Sequence, residues 1–109
     1  MRPVRVSLDG VSQTDPIPLD LYLTPFNVSL RTIITGAPTY TVEYTESDVF
    51  AAGYDPDTDT WNPLSGMTDE TANAYTTLVS PVTAVRMRQT AGVAGNGVEL
   101  TVIQAGVFR

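Results

Sequence analysis

Glycine and proline interrupt this sequence so often that no stretch keeps the 3.6-residue periodicity of a helix over about ten residues. The chain has eight glycines and eight prolines, spread throughout its length. Between them apolar and polar residues alternate, which is typical of strands with one buried face. Alternation predicts strands at residues 4–8, 26–34, 39–45, 85–88 and 98–102.

Turn sequences indicate how these strands connect. The turn at residues 36–38 predicts a hairpin between the second and third strands, and the Gly-rich loop 91–97 predicts another between the last two. Shorter strands are expected at residues 19–23, around 51–54 and around 76–80, and residues 68–75 form either a loop or a short helix. The 109 residues therefore predict one all-β domain, 1–109, an antiparallel β-sandwich or jelly-roll-like barrel of about seven or eight short strands.

The residue inventory excludes most catalytic chemistry. The chain contains no histidine, cysteine or lysine, so it lacks the usual general base, thiolate nucleophile, Schiff-base amine and zinc ligands. Paired carboxylates remain, but no aromatic groove for a sugar substrate is evident, because alternation assigns the aromatic side chains to the core by default. We therefore expect a non-enzymatic protein with no catalytic residues and no cofactor.

The net charge of −6 is unevenly distributed. The cations are six arginines, whereas residues 32–85 carry eight acids and no cation. Such a chain is unsuited to neutralising phosphates, and no apolar run approaches the ~20 residues of a membrane helix. We expect a soluble protein that binds neither nucleic acid nor membrane, with an acidic face that is either simply solvated or a partner site.

Three carboxylates alternate at Asp55, Asp57 and Asp59. This spacing matches the first ligands of an EF-hand loop and makes the three residues a candidate calcium site. The match ends there, since Thr60 and Gly66 stand where that loop requires glycine and glutamate. An Asp-Pro-Asp-Thr segment is also an ordinary turn, and we favour this interpretation, in which no metal is bound.

Four arginines are candidates for binding a partner protein. Arg2 and Arg5 lie in residues 1–6, which form either an N-terminal arm that docks on an acidic neighbour or an ordinary edge strand. If the apolar residues beside them face the core, Arg86 and Arg88 share the opposite face, roughly 7 Å apart, as a cationic stripe. The stripe is either solvated or paired with the acidic region of the next copy in a homo-oligomer.

Motifs along nearly the whole chain carry a family resemblance. They are P-L-D-x-Y-x-x-P-F-N-V at residues 18–28, Y-T-V-E-Y-T at 40–45, W-x-P at 61–63, P-V-x-A-V-R-M-R at 81–88 and L-T-V-I-Q-A-G at 100–106. The chain resembles small β-rich proteins encoded among the structural genes of tailed bacteriophages and prophages.

This resemblance implies a virion protein made in the host cytoplasm, in the first place a capsid decoration (cement) protein. The alternatives are a head-tail or tail accessory protein and a tail-associated carbohydrate- or receptor-binding module. The resemblance also implies a homo-oligomer of three copies and contact with a major capsid protein or another virion protein.

Overall fold

The computed structural model describes residues 3–21 and 23–108, with side chains for residues 3–21 and 26–104. Within these residues the chain forms strands, turns and bends and no helix, so the predicted all-β class is confirmed and residues 68–75 do not form the short helix. The strands are β1 (Val4–Asp9), β2 (Ser12–Gln13), β3 (Ile17–Pro18), β4 (Leu23–Thr35), β5 (Thr39–Thr45), β6 (Asn62–Pro63), β7 (Ala74–Leu78), β8 (Ala84–Ala91) and β9 (Gly97–Phe108).

The strands form two antiparallel sheets packed as a sandwich. Sheet A has the order β1-β9-β4-β7, and sheet B has the order β2-β8-β5-β6, with β3 also pairing with β8. Because β2 and β3 pair with successive parts of β8, they act as one strand interrupted at residues 14–16. The resulting eight strands pair first with last, second with seventh, third with sixth and fourth with fifth. This nested pairing is the double Greek-key connectivity of a jelly roll.

The core lies between the two sheets because alternation directs one face of each strand inward. The fully buried apolar side chains include those of Val28, Leu30, Leu100 and Val102 from sheet A and of Tyr40, Val42, Val85 and Met87 from sheet B. The Tyr40 hydroxyl is hydrogen-bonded to Thr32 of the opposite sheet and donates to the carbonyl oxygen of Ala72 at 2.7 Å. Each buried apolar side chain contributes about 1.5–3 kcal/mol, so this shared core holds the sheets together.

Both predicted hairpins are wrong. The strands β4 and β9 belong to sheet A, whereas β5 and β8 belong to sheet B, so each turn carries the chain from one sheet to the other. The two crossings pack together: a Cβ on Gly36 would collide with the side chain of Asn96, and a Cβ on Gly92 would lie 3.3 Å from the Cα of Pro38. Glycine and proline mark a chain reversal, but a reversal within a sheet and a step between sheets use the same turn conformations.

The short strands agree less well with the prediction from the sequence than the long strands do. The strand expected around residues 76–80 is present as β7, but residues 51–54 form turns or irregular backbone. Of the strand expected at 19–23, residues 19–21 lie outside any strand, residue 22 lies outside the described residues, and Leu23 begins β4. Pro18 and Pro63 both lie in outer strands of sheet B, namely β3 and β6. Proline lacks the N–H that a central strand must donate, so it is tolerated at such edges.

Candidate functional site

The segment that joins β5 to β6, residues 46–61, covers the outer face of sheet B. The carbonyl oxygen of Pro56 accepts hydrogen bonds from Trp61 Nε1 at 2.9 Å and from Arg86 Nη1 at 3.5 Å. The Arg86 guanidinium carbon lies 4.3 Å from the centre of the Trp61 ring. As a result Glu43 and Arg86, which point outward from β5 and β8, are only 6% and 7% exposed.

Glu43 and Arg86 form an ion pair beneath this segment. They are register partners on neighbouring strands, and Arg86 Nε donates to Glu43 Oε1 at 2.9 Å. Arg88 Nη2 lies 3.7 Å from Glu43 Oε2, and 46% of the Arg88 side chain is exposed. Arg86 and Arg88 therefore share the outer face of β8, as alternation predicts. The charge of Arg86 is matched by an acid of its own chain and is not available to a partner, whereas Arg88 remains accessible.

The three alternating carboxylates do not converge on a common point. Asp55 Oδ1 accepts the backbone N–H of Asp57 at 2.9 Å, as in an ordinary Asx turn, and Asp57 Oδ1 accepts from Gln13 Nε2 at 3.1 Å. Asp59 points into a different set of hydroxyl groups. Among residues 3–21 and 23–108, no group of three or more acidic side chains is arranged to hold a metal ion. The hydrogen bond from the Asp57 N–H to Asp55 is the turn geometry that the Asp-Pro-Asp-Thr segment predicts.

Asp59 fastens the covering segment to the end of β5. Its carboxylate accepts hydrogen bonds from the hydroxyls of Thr45 (2.7 Å), Ser47 (2.6 Å) and Tyr54 (2.6 Å) and from the backbone N–H of Thr60 (2.8 Å). Desolvation raises the pKa of Asp59, but these hydrogen bonds outweigh it and lower the pKa to about 2. Desolvation and the bond to Asp59 raise the pKa of Tyr54 to about 12. Asp59 therefore has a structural role.

An apolar groove lies at the end of the sandwich where β3 and β5 end and β8 begins. Its volume is about 590 Å³, and its described lining consists of residues 18–21, 46, 48–50 and 83. Two of the lining side chains are large, apolar and exposed, Leu21 at 49% and Phe50 at 78%. This surface could not be predicted from the sequence, because the core is the default for aromatic residues and the neighbouring residues 51–54 are expected to form a strand.

Hydrogen bonds hold both walls of the apolar groove in place. On one wall, Asp20 N–H donates to Gln104 Oε1 at 2.8 Å, and Gln104 Nε2 donates back to the Asp20 carbonyl at 2.6 Å. On the other wall, Asp48 Oδ1 accepts the backbone N–H of Phe50 at 3.0 Å. Between the two walls, the Leu19 N–H donates to the carbonyl oxygen of Thr83 at 2.9 Å. The groove is therefore a preformed feature.

The outer face of sheet A carries two arginines on strands that are separated by β9, and we call this surface the arginine face. Arg5 on β1 is opposite Thr101 on β9, Thr101 is opposite Arg31 on β4, and Arg31 is opposite Tyr75 on β7. The side chains border a cavity of about 270 Å³, whose described lining is Pro3, Arg5, Ser29, Arg31, Tyr75, Thr101 and Ile103.

Of the arginines proposed from the sequence, Arg5 reaches this surface and Arg2 lies outside the described residues. Residues 4–6, considered as an arm or an edge strand, belong to β1 at the edge of sheet A. Arg31 and Tyr75 were not proposed as site residues. Alternation along residues 26–34 already places Arg31 on the outward face, but the neighbouring strands were needed to bring it close to Arg5.

Comparison of the chain with protein families, curated proteins and solved structures found no match. In the described parts of the chain, no helix is long and apolar enough to cross a membrane. The fold assignment therefore rests on strand pairing, and function must be argued from the apolar groove and the arginine face.

Proposed function

We propose that the protein is a non-enzymatic structural component of a tailed-phage virion, a capsid decoration protein that stabilises the head through protein–protein contacts. The motif resemblance and the lack of histidine, cysteine and lysine support this function. The observation that carries it is the apolar groove, because exposed apolar side chains in a preformed cleft mark a protein contact surface.

The apolar groove has the layout of an interface. Leu21 and Phe50 supply apolar area at its centre, and Glu46 and Asp48 supply charge at its rim. An apolar centre with a polar rim is the usual arrangement of protein contact surfaces. Removing each large apolar side chain from water contributes about 1.5–3 kcal/mol to association. These residues are therefore the first to change in a test of assembly.

The charges at the groove favour a ring over a two-fold dimer. A two-fold axis through the groove would bring Glu46 and Asp48 of one copy against the same residues of the other, and like charges disfavour such a contact. In a three-fold ring each copy uses two different surfaces, so the groove of one copy meets a surface without this acidic rim. This supports a ring assembly, of which the three copies that the resemblance implies are one form.

The test compares two exposed apolar residues that lie at opposite ends of the sandwich, Phe50 near the start of β8 and Val93 just after its end. Phe50→Ser removes the centre of the groove, and Val93→Ser, at a residue 73% exposed in the β8–β9 crossing, is the matched control. Sedimentation velocity at micromolar concentration measures self-association, and co-sedimentation with particles that lack the protein measures docking. We expect Phe50→Ser to weaken both and Val93→Ser to leave both unchanged. Wild-type behaviour of Phe50→Ser in both assays would overturn the proposal.

The second candidate, a tail-associated carbohydrate- or receptor-binding module, is favoured by the cavity of the arginine face. A binder of neutral sugars would present two or three aromatic side chains in one patch. The exposed aromatic residues among the described side chains are divided: Phe50 lines the apolar groove and Tyr75 lines the arginine face. Electron cryomicroscopy of purified particles distinguishes this module and a head-tail accessory protein from a capsid decoration protein by position.

A further inference from the structure

We propose that the arginine face binds an acidic saccharide, with a sugar carboxylate held between Arg5 and Arg31. This inference goes beyond the proposed role in the particle and does not depend on it. It begins from the strand register, which places Arg5, Thr101 and Arg31 side by side on three neighbouring strands. Since neighbouring strands are about 4.8 Å apart, the two arginines start about 10 Å apart and line one cavity.

This separation suits one carboxylate that is contacted from both sides. Each guanidinium presents parallel N–H groups that match the two oxygens of a carboxylate. Thr101, between the two arginines, is 5% exposed although it lies on the outer face, so the floor of the cavity is closed. A carboxylate that enters this cavity from solvent is proposed to contact Arg5 on one side and Arg31 on the other.

The local charge is opposite to that of the molecule as a whole. The chain has twelve acidic residues, yet none of the described residues that line this cavity is acidic. The side chains of Arg5 and Arg31 make no hydrogen bond or ion pair within the described part of the chain. Glu99 lies two residues before Thr101 on β9, opposite Ser7 and Ile33, outside the cavity. Two unpaired cations in one concavity favour an anionic ligand.

The rest of the cavity fits the body of a sugar ring. Tyr75 is 66% exposed and offers an aromatic wall, and the hydroxyls of Ser29 and Tyr75 lie 3.5 Å apart beside it. Pro3 and Ile103 add apolar surface. Ligand sites usually combine such apolar walls with a few polar groups, and a volume of about 270 Å³ lies just below their usual range of roughly 300–1,000 Å³. One sugar ring fits better than a long chain.

An acidic side chain of a protein partner offers the same carboxylate, but it matches the cavity less completely. An aspartate or glutamate that reached the two arginines would leave the Tyr75 wall and the pair of hydroxyls without contacts. A pyranose that carries a carboxylate contacts the arginines, the aromatic ring and the hydroxyls together. The uronates are the simplest ligands of this class.

The experiment is an NMR titration of the ¹⁵N-labelled full chain at low ionic strength with sodium D-glucuronate, D-glucose and inorganic phosphate. We expect glucuronate to shift amide signals on β1, β4, β7 and β9 and to bind at least about tenfold more tightly than glucose, because a hydrogen bond to a charged group is worth at least that factor. Phosphate, which lacks the ring, should bind more weakly than glucuronate.

Variants assign the binding to named residues. We expect Arg31→Gln to weaken glucuronate binding about tenfold, Tyr75→Ala to weaken it severalfold, and Tyr75→Phe to retain most of it. Arg88→Gln is the matched control, because it removes the same charge from an exposed arginine of sheet B. Glu99→Gln should strengthen binding about two- to threefold by removing a competing acid. Thermal unfolding verifies that each variant is folded.

Three results would overturn the proposal. Phosphate binding as tight as glucuronate binding would show an unspecific anion site. Equal losses in Arg31→Gln and Arg88→Gln would show an effect of net charge alone. Glucuronate binding unchanged in Arg31→Gln, together with weakened self-association in sedimentation, would assign the arginine face to contact with the acidic surface of a second copy. None of these results depends on whether the protein is part of a capsid.

Discussion

The buried ion pair between Glu43 and Arg86 tests whether residues 46–61 close over sheet B. Replacing Arg86 with methionine retains apolar contact with Trp61 but leaves the Glu43 carboxylate, 6% exposed, without its hydrogen bond from Arg86. Removing one partner of a buried pair costs about 3–5 kcal/mol. Because Arg88 lies 3.7 Å from Glu43 and compensates in part, we expect a loss of about 3 kcal/mol.

The reciprocal change and the double change complete a thermodynamic cycle. Glu43→Leu leaves the Arg86 guanidinium over the Trp61 ring with the carbonyl of Pro56 as its remaining hydrogen-bond acceptor, again at a cost of about 3 kcal/mol. The double variant Glu43→Leu with Arg86→Met contains no buried unpaired charge, so it should be more stable than the sum of the two losses implies. We expect a coupling free energy of about 3 kcal/mol.

Urea unfolding provides the assay, because the chain has a single tryptophan that lies in the cluster itself. Fluorescence of Trp61 follows the covering segment, and far-ultraviolet circular dichroism follows the sheets. A domain of this size has a free energy of unfolding of about 5–15 kcal/mol, so the single variants remain measurable. Arg88→Gln is the control, with an expected loss below about 1 kcal/mol. A coupling free energy below about 1 kcal/mol would refute a closed, desolvated pair.

Two further changes test the acidic turn and the sheet crossings. Asp59→Asn should lower stability at pH 7 by about 1–2 kcal/mol, allowing for partial exposure of the carboxyl. Because the folded-state pKa of Asp59, about 2, lies below the ordinary 3.8, this contribution is present above pH 4 and lost as the pH falls through 2. Urea unfolding should therefore give the same free energy of unfolding for the wild type and Asp59→Asn at about pH 2. A difference between the two proteins that persists at pH 2 would contradict the prediction. Gly36→Ala should lower the melting temperature more than Gly53→Ala does. Both glycines have positive φ (78° and 76°), but only the new methyl group at residue 36 collides with a side chain, that of Asn96. Equal losses would contradict close packing of the two crossings.

The long strands could be predicted from the sequence because alternation is a local property. Residues 4–8 lie within β1, residues 26–34 within β4 and residues 98–102 within β9. In each case apolar residues two positions apart share the inward face, whatever strand pairs beside them. The same information gives the all-β class and the sandwich, since several such faces need one common core.

Sheet membership could not be predicted in this way because it depends on contacts between distant residues. The turn at Gly36 is compatible with a hairpin or with a step between sheets, and the choice is made by β4 pairing with β9 and β5 with β8. Glu43 and Arg86 are 43 residues apart, so their register cannot be read from either strand alone. Alternation predicts that Arg86 points away from the core, but it does not predict that Trp61 lies over it.

The two candidate surfaces were hidden for different reasons. Leu21 and Phe50 lie between strands, although the sequence predicts a strand at residues 19–23, and alternation does not show the orientation of side chains outside strands. Arg5 and Arg31 were both predictably outward, but they become neighbours only through the position of β9 between β1 and β4. The apolar groove could not be predicted because its residues lie in irregular segments, and the arginine face could not be predicted because the strand order was unknown.

The fold shows that several of the charged residues make contacts within the chain. The acidic stretch of residues 32–85 was expected to be a solvated face or a partner site, yet Glu43, Asp57 and Asp59 are used within the chain to hold residues 46–61 against sheet B. Arg86 is used in the same way, so part of the apparent charge separation is internal. The described arginines without such partners are Arg5 and Arg31, both on sheet A. The unpaired positive charge therefore lies on sheet A, on the opposite side of the sandwich from the covering segment, which is where the anionic ligand is proposed to bind.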